Sequence, residues 1–167
     1  MRVPNSFLFY IIITFSCHNN SMEPIAGHEL AERANEFYEN GKYSEAMLLY
    51  DSLLSIDSTK GGYYFKRGYC RSMLSDNDNA IADYLKAIKY NYSQKGAAYL
   101  NIGVLHRSRG LFNCSTNDCR TKEYDSALYY YNECLKIDPT DAEAIQEKKA
   151  VIEELKQQHS GIRENAK

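Results

Sequence analysis

Three stretches of this chain repeat one pattern in register, and that repetition constrains the fold more than any other feature. They are Tyr43-Ser-Glu-Ala46-Met47-Leu-Leu-Tyr50-Asp-Ser-Leu53-Leu54, Asn77-Asp-Asn-Ala80-Ile81-Ala-Asp-Tyr84-Leu-Lys-Ala87-Ile88 and Tyr124-Asp-Ser-Ala127-Leu128-Tyr-Tyr-Tyr131-Asn-Glu-Cys134-Leu135. Matching residues fall at offsets 0, 3, 4, 7, 10 and 11. At 3.6 residues per turn these offsets gather small and apolar side chains on one stripe, so each stretch is predicted to be an amphipathic helix. A second helical stretch lies upstream of each: Leu30 to Phe37, Tyr64 to Arg71 and Tyr99 to His106. Each upstream stretch carries a small residue at its centre: Ala34, Gly68 or Gly103. Opposite Ala46, Ala80 or Ala127, such a residue lets the two backbones of a helical hairpin approach closely.

Ala46 and Ala80 lie 34 residues apart, a helix-turn-helix period. With Tyr63-Tyr64-Phe-Lys-Arg-Gly68, Gly110 and Pro139, these segments make the chain resemble tetratricopeptide repeats. The resemblance implies an all-α helical solenoid of three helix-turn-helix repeats plus a C-terminal capping helix. The domain is expected over 28–158, with repeats at about 27–60, 61–94 and 95–140 and the cap at 141–158; residues 159–167 are expected to be a frayed tail. The pattern departs from the family at Ala34 (usually Gly), at Arg71 and His106 (often aromatic), and at Ser58 and Tyr92, where Pro139 alone keeps the closing proline. Thr140-Asp-Ala-Glu143 reads as a capping box for the last helix. Its apolar stripe is read as Ala142, Ile145, Ile152 and Leu155.

Ala80 and Ala127 are 47 residues apart, so about a dozen residues are added in the third repeat, at 111–122. With Gly110 read as the end of one helix, the addition is expected to bulge from the turn as a loop. Cys114 and Cys119 within it could form a local disulfide if the chain is exported. A zinc site from those thiols and His106 would lack a fourth ligand, so no metal is expected. Cys70 and Cys134 take helix positions usual for small apolar residues and are read as core.

The first sixteen residues have a different layout: Arg2, an apolar run from Phe7 to Phe15, and Ser16 before Cys17. That is the layout of an export signal, and the run is too short to span a bilayer. Thr14-Phe15-Ser16-Cys17 resembles a bacterial lipobox, with Thr14 where an aliphatic residue is usual. The resemblance implies cleavage of 1–16 and lipidation at Cys17, and residues 17–27, broken by Pro24 and Gly27, are read as a tether. Several acyl chains would make a stable membrane anchor. An ordinary signal cut nearby, leaving Cys17 as a thiol, and a short cytoplasmic or anchor segment are the alternatives. His18 rather than Asp after the cysteine implies the outer membrane of the bacterial cell envelope, by the sorting rule of many Gram-negative bacteria.

Little in the chain suggests chemistry. Net charge is -2, which gives no electrostatic footprint for nucleic acid. Gly61-Gly62 lacks the Lys and Ser/Thr of a phosphate loop, and the four histidines are dispersed. No cofactor and no catalytic role are expected. Tyrosine occurs 15 times and tryptophan never, which is read as rings packed on half-buried surfaces with wet hydroxyls.

The family resemblance implies that the first helix of each repeat lines a concave groove for a protein or peptide partner. The groove set is Asn35, Tyr38, Phe65, Tyr69, Met73, Leu100, Val104 and Arg107, with Asn35 and Arg107 orienting the ligand. Chaperone-binding members of that family carry a clamp of lysine, asparagine and arginine. Only Asn35 matches it here, and Ala31 replaces the lysine, so another envelope protein is the expected partner. The expected function is a membrane-anchored scaffold or assembly factor; the alternative is an accessory lipoprotein that holds a peptide or small molecule in the groove.

Overall fold

The computed structural model describes residues 23–164, which form seven helices and, among the described residues, no strand. In order they are α1 (Glu23–Glu39), α2 (Tyr43–Ile56), α3 (Gly61–Met73), α4 (Asn77–Lys89), α5 (Lys95–Phe112), α6 (Asn117–Ile137) and α7 (Ala142–Glu164). Each helix packs on the next in the chain, giving three hairpins, α1/α2, α3/α4 and α5/α6, closed by α7. This is the expected three-repeat solenoid with its cap. The signal, Cys17 and the first part of the tether lie outside the described residues. No described helix is long and apolar enough to cross a membrane.

The repeated positions make the core. Ala46, Ala80 and Ala127 are fully buried, as are Tyr50, Tyr84 and Tyr131 one turn further on. Each of these tyrosines lies against the small residue of the preceding helix. A methyl group at Gly68 would meet Tyr84 Cδ1 at 3.2 Å, and one at Gly103 would meet Tyr131 Cε1 at 2.5 Å. Five tyrosines, Tyr50, Tyr64, Tyr84, Tyr124 and Tyr131, are thus core residues, while eight others, Tyr38 and Tyr69 among them, are half-buried as read from composition. Two of the core hydroxyls find partners inside the fold: Tyr50 donates to Asn35 Oδ1 at 2.9 Å and Tyr131 to Glu147 Oε2 at 3.3 Å.

Short turns recur between the helices. After α1, Gly41 adopts φ +70°, and Lys42 N donates to Phe37 O; after α3, Ser75 adopts φ +64°, and Asp76 N donates to Arg71 O. Both are Schellman-type stops, which need a left-handed residue and favour glycine. Ser75→Gly is expected to raise stability by about 0.5–1 kcal/mol, measured as a higher urea midpoint at unchanged slope; a lower midpoint would contradict this reading of the turn.

Several expectations need correction. Residues 111–122 are not a bulging loop: α5 continues to Phe112 and α6 begins at Asn117, so the added residues lengthen both helices around a four-residue turn. Gly110 does not end α5. It is buried within it, because a methyl there would lie 2.4 Å from Tyr124 Cε1. The tether is shorter than read from the sequence, since α1 starts at Glu23 and includes Pro24 and Gly27. Proline is tolerated in a first turn because the amide it lacks has no intrahelical partner there. The last helix is capped by Asp141, whose Oδ1 accepts from Ala144 N at 2.8 Å, while Thr140 donates back to Asp138. It continues to Glu164, past the tail boundary at 159. Its buried side is Ala144 and Val151 with Leu155, and Ile145 and Ile152 face outward.

Burial also fixes the chemistry of the free thiols. Cys70 and Cys134 are buried, and desolvation pushes both pKa values up to about 11, for Cys134 with help from Asp141. Thiolate is the reactive form, so native protein is expected to resist iodoacetamide at both positions near neutral pH. Rapid labelling before unfolding would show that these helices open.

Candidate functional site

The odd-numbered helices form one layer, in which side chains bond α1 to α3 and α5 to α7. Between α1 and α3, Lys66 Nζ donates to Asn35 Oδ1 at 2.7 Å, and the rings of Tyr38 and Tyr69 lie 5.4 Å apart. Tyr43, at the start of α2, completes the aromatic cluster at 6.5 Å from Tyr38 and 5.9 Å from Tyr69. Burial, then the Tyr69 ring system, pushes the Tyr38 phenol well above its ordinary pKa, so it stays a neutral donor. Lys66 also lies 5.3 Å from the centre of the Tyr38 ring, a cation–π distance.

Lys66 is the functional candidate that sequence reasoning missed. Its ammonium meets an amide oxygen and a ring, and among the described residues no carboxylate lies within salt-bridge distance. A half-buried cation facing neutral partners keeps donor capacity for an anionic or carbonyl ligand. The available signal was a lysine one helical turn before Tyr69, the residue that stands one repeat after Asn35.

The expected groove residues do not form one surface. Asn35, Tyr38 and Tyr69 are half-buried together at the α1/α3 edge, and Met73 is exposed beyond them at the end of α3. Phe65 stacks on Tyr92 at 4.6 Å and leans on Tyr84 at 5.4 Å, so its ring is held by the second repeat. Leu100 is not a groove residue: it is 8% exposed, in the core formed with Tyr124, Tyr131 and Val151, and Val104 packs against that core. Arg107 is not free to orient a ligand. It donates to Glu147 Oε2 at 2.9 Å and Glu154 Oε1 at 2.6 Å on α7, and the bonds to Glu154 and Glu147 outweigh burial and raise its pKa. The polar handle thus lies at Asn35 and Lys66, in the first half of the layer.

Cys114 and Cys119 are joined by a disulfide that ties the turn to the first turn of α6, where Thr116 Oγ1 accepts from Cys119 N. His106 lies beside Glu123, with Nδ1 2.7 Å from Oε2. Among the described residues no group of three or more metal-ligating side chains converges.

This arrangement is that of a helical-repeat domain. No family model matches the chain. It is 26% identical over 117 residues to the Hsp70-Hsp90 organising protein of Plasmodium falciparum (isolate 3D7), covering 70% of this chain and 20% of that protein, so the match spans about a fifth of the relative. The first TPR of Spaghetti (RPAP3), bound to the HSP90 peptide SRMEEVD, superposes with TM-score 0.63 at 22% identity, over 77% of this chain and 92% of that one. The Yersinia enterocolitica type III secretion chaperone SycD, in complex with a peptide of the translocator YopD, gives TM-score 0.66 at 16% identity, over 83% and 99%. These likenesses establish the fold as that of a tetratricopeptide-repeat domain.

Proposed function

We propose that this chain is a membrane-anchored module that captures an extended segment of a partner protein on the α1/α3 side of its helical layer. The carrying observation is the Asn35–Lys66 pair set beside the Tyr38, Tyr43 and Tyr69 rings. Such a surface suits a peptide carrying a carboxylate or free carbonyl next to an apolar side chain: Lys66 and the Asn35 amide give it polarity, and the rings give contact area at low entropic cost. Two similar folds support this reading, since one is bound to an HSP90 peptide and the other to a YopD peptide. The anchor in this reading is supported by the lipobox-like sequence around Cys17. The module would then be a scaffold or assembly factor at the bacterial cell envelope, with another envelope protein as partner and the outer membrane as its site.

The test compares partner capture from native membranes by wild type, Lys66→Ala and Tyr69→Ala, each checked for unchanged helicity. Loss of a hydrogen bond to a charged group corresponds to about a tenfold or greater loss of affinity. Undiminished capture by both variants would overturn the placement. Palmitate labelling and membrane fractionation of Cys17→Ala test the anchor separately: both signals are expected to vanish, and retained labelling would exclude Cys17 as the modified residue.

A further inference from the structure

A cavity of about 330 Å³ lies where the lengthened α5/α6 hairpin meets the later turns of α7, away from the α1/α3 surface. Its walls are Leu111, Arg120, Tyr124, Glu154, Gln157 and Gln158. Two of these residues, Leu111 and Arg120, come from the added segment, so the extra length of the third repeat builds one side of the cavity.

Two acceptors on this wall are short of partners. Gln158 commits its amide nitrogen to Asn117 O at 3.2 Å and Thr121 Oγ1 at 3.1 Å, yet its Oε1 is buried without a donor. Glu154 spends Oε1 on Arg107, at 3.2 Å from Nε and 2.6 Å from the nearer terminal nitrogen, while its Oε2 is buried with no bond of hydrogen-bond length and the Tyr124 hydroxyl beside the carboxylate. The two residues are one turn apart on the same helix face. Leaving the Gln158 oxygen unpaired costs about 1–3 kcal/mol. A donor entering the cavity would recover that cost once the side chain turns toward it.

The opposite pole is Arg120. Its Nε is fixed on Gly110 O at 3.1 Å, while its terminal nitrogens make only long contacts, 3.5 Å to Asn117 Oδ1 and 3.5 Å to Cys114 O. Donor capacity therefore remains on the guanidinium. The lining carries one cation and one carboxylate with apolar surface from Leu111 and the Tyr124 ring. Arg107 already balances the charge of Glu154, so what the wall offers a ligand is donors on Arg120 and acceptor oxygens on Gln158 and Glu154, and a small zwitterion uses both.

We propose that this cavity binds a free α-amino acid with a small apolar side chain, its ammonium held by Glu154 and Gln158 and its carboxylate by Arg120. The volume suits a ligand of leucine size with its side chain on Leu111 and Tyr124. The disulfide between Cys114 and Cys119 holds the turn that presents Arg120, so the site is complete in the oxidised protein.

Equilibrium dialysis of the full chain with radiolabelled L-leucine tests the assignment, with isoamylamine and isocaproate as competitors that each lack one charged group. Saturable binding of leucine is expected, with each competitor at least about tenfold weaker. Glu154→Gln, Gln158→Leu and Arg120→Lys are each expected to weaken it by a similar factor, and Leu48→Ala, on exposed α2 surface, to leave it unchanged. Should Glu154→Gln fail to fold after losing its bond to Arg107, the Gln158 and Arg120 variants decide the matter. No saturable binding up to about 10 mM, equal binding by the variants, or isoamylamine binding as tightly as leucine would overturn the proposal.

Discussion

Replacing Asp83 with alanine is expected to destabilise the domain by about 3–5 kcal/mol, enough to unfold much of a marginally stable chain. Asp83 is 1% exposed, on α4, and is the one buried charged side chain in the described core. Both its oxygens are engaged: Arg67 donates to Oδ1 at 2.6 Å and Oδ2 at 2.8 Å, and Arg71 donates to Oδ2 at 2.7 Å. Arg67 also reaches Asp51 on α2 at 2.6 Å, so the network joins three successive helices. Burial opposes the charge on Arg67, and its bonds to Asp83 and Asp51 offset that and hold its pKa up. Removing the carboxylate leaves the poorly exposed Arg71 without a counter-charge and Arg67 with Asp51 alone, which is costlier than the net worth of the pair. Urea unfolding followed by circular dichroism measures the loss. A change below about 1 kcal/mol, the range of exposed ion pairs, would contradict a structural role for the network.

Gly103→Val is expected to cost about 3 kcal/mol, although valine has the better intrinsic helix propensity. The ring of Tyr131, fully buried, lies where the new Cβ would go, 2.5 Å from Cε1. The ring cannot withdraw, because it is enclosed by Leu100, Ala127 and Val151 and its hydroxyl is held by Glu147. Combining Gly103→Val with Tyr131→Leu relieves the overlap, so the double variant is expected to be more stable than the two separate losses sum to. Strict additivity would show that glycine and tyrosine do not share one space, and a stabilising Gly103→Val would overturn the packing account.

The repeat register was legible in the sequence for the same reason that these substitutions hurt. Close helix packing leaves few solutions at the contact, so Ala46, Ala80 and Ala127 with Tyr50, Tyr84 and Tyr131 recur at fixed spacing. Gly110 misled because glycine serves two purposes: at Gly41 it supplies a left-handed turn, and at Gly110 it makes room for Tyr124. From sequence alone the two look alike, so the added segment reads as a loop although it lengthens both helices. Counting within a repeat puts Arg107 in the groove because it cannot reveal the carboxylates of α7 that arrive 40 and 47 residues later. Lys66 is hard to single out from sequence because its significance lies in a partner on another helix, Asn35.

The most direct test of peptide capture is site-specific photo-crosslinking in native membranes, with a photoreactive residue placed at Tyr69 or at Met73, flanking the Asn35–Lys66 pair, and at Leu48 on the exposed side of α2 as reference. The account predicts a discrete partner adduct from positions 69 and 73 that is lost on Lys66→Ala, and none from position 48. An adduct from position 48 alone would move recognition to the other side of the solenoid and contradict it.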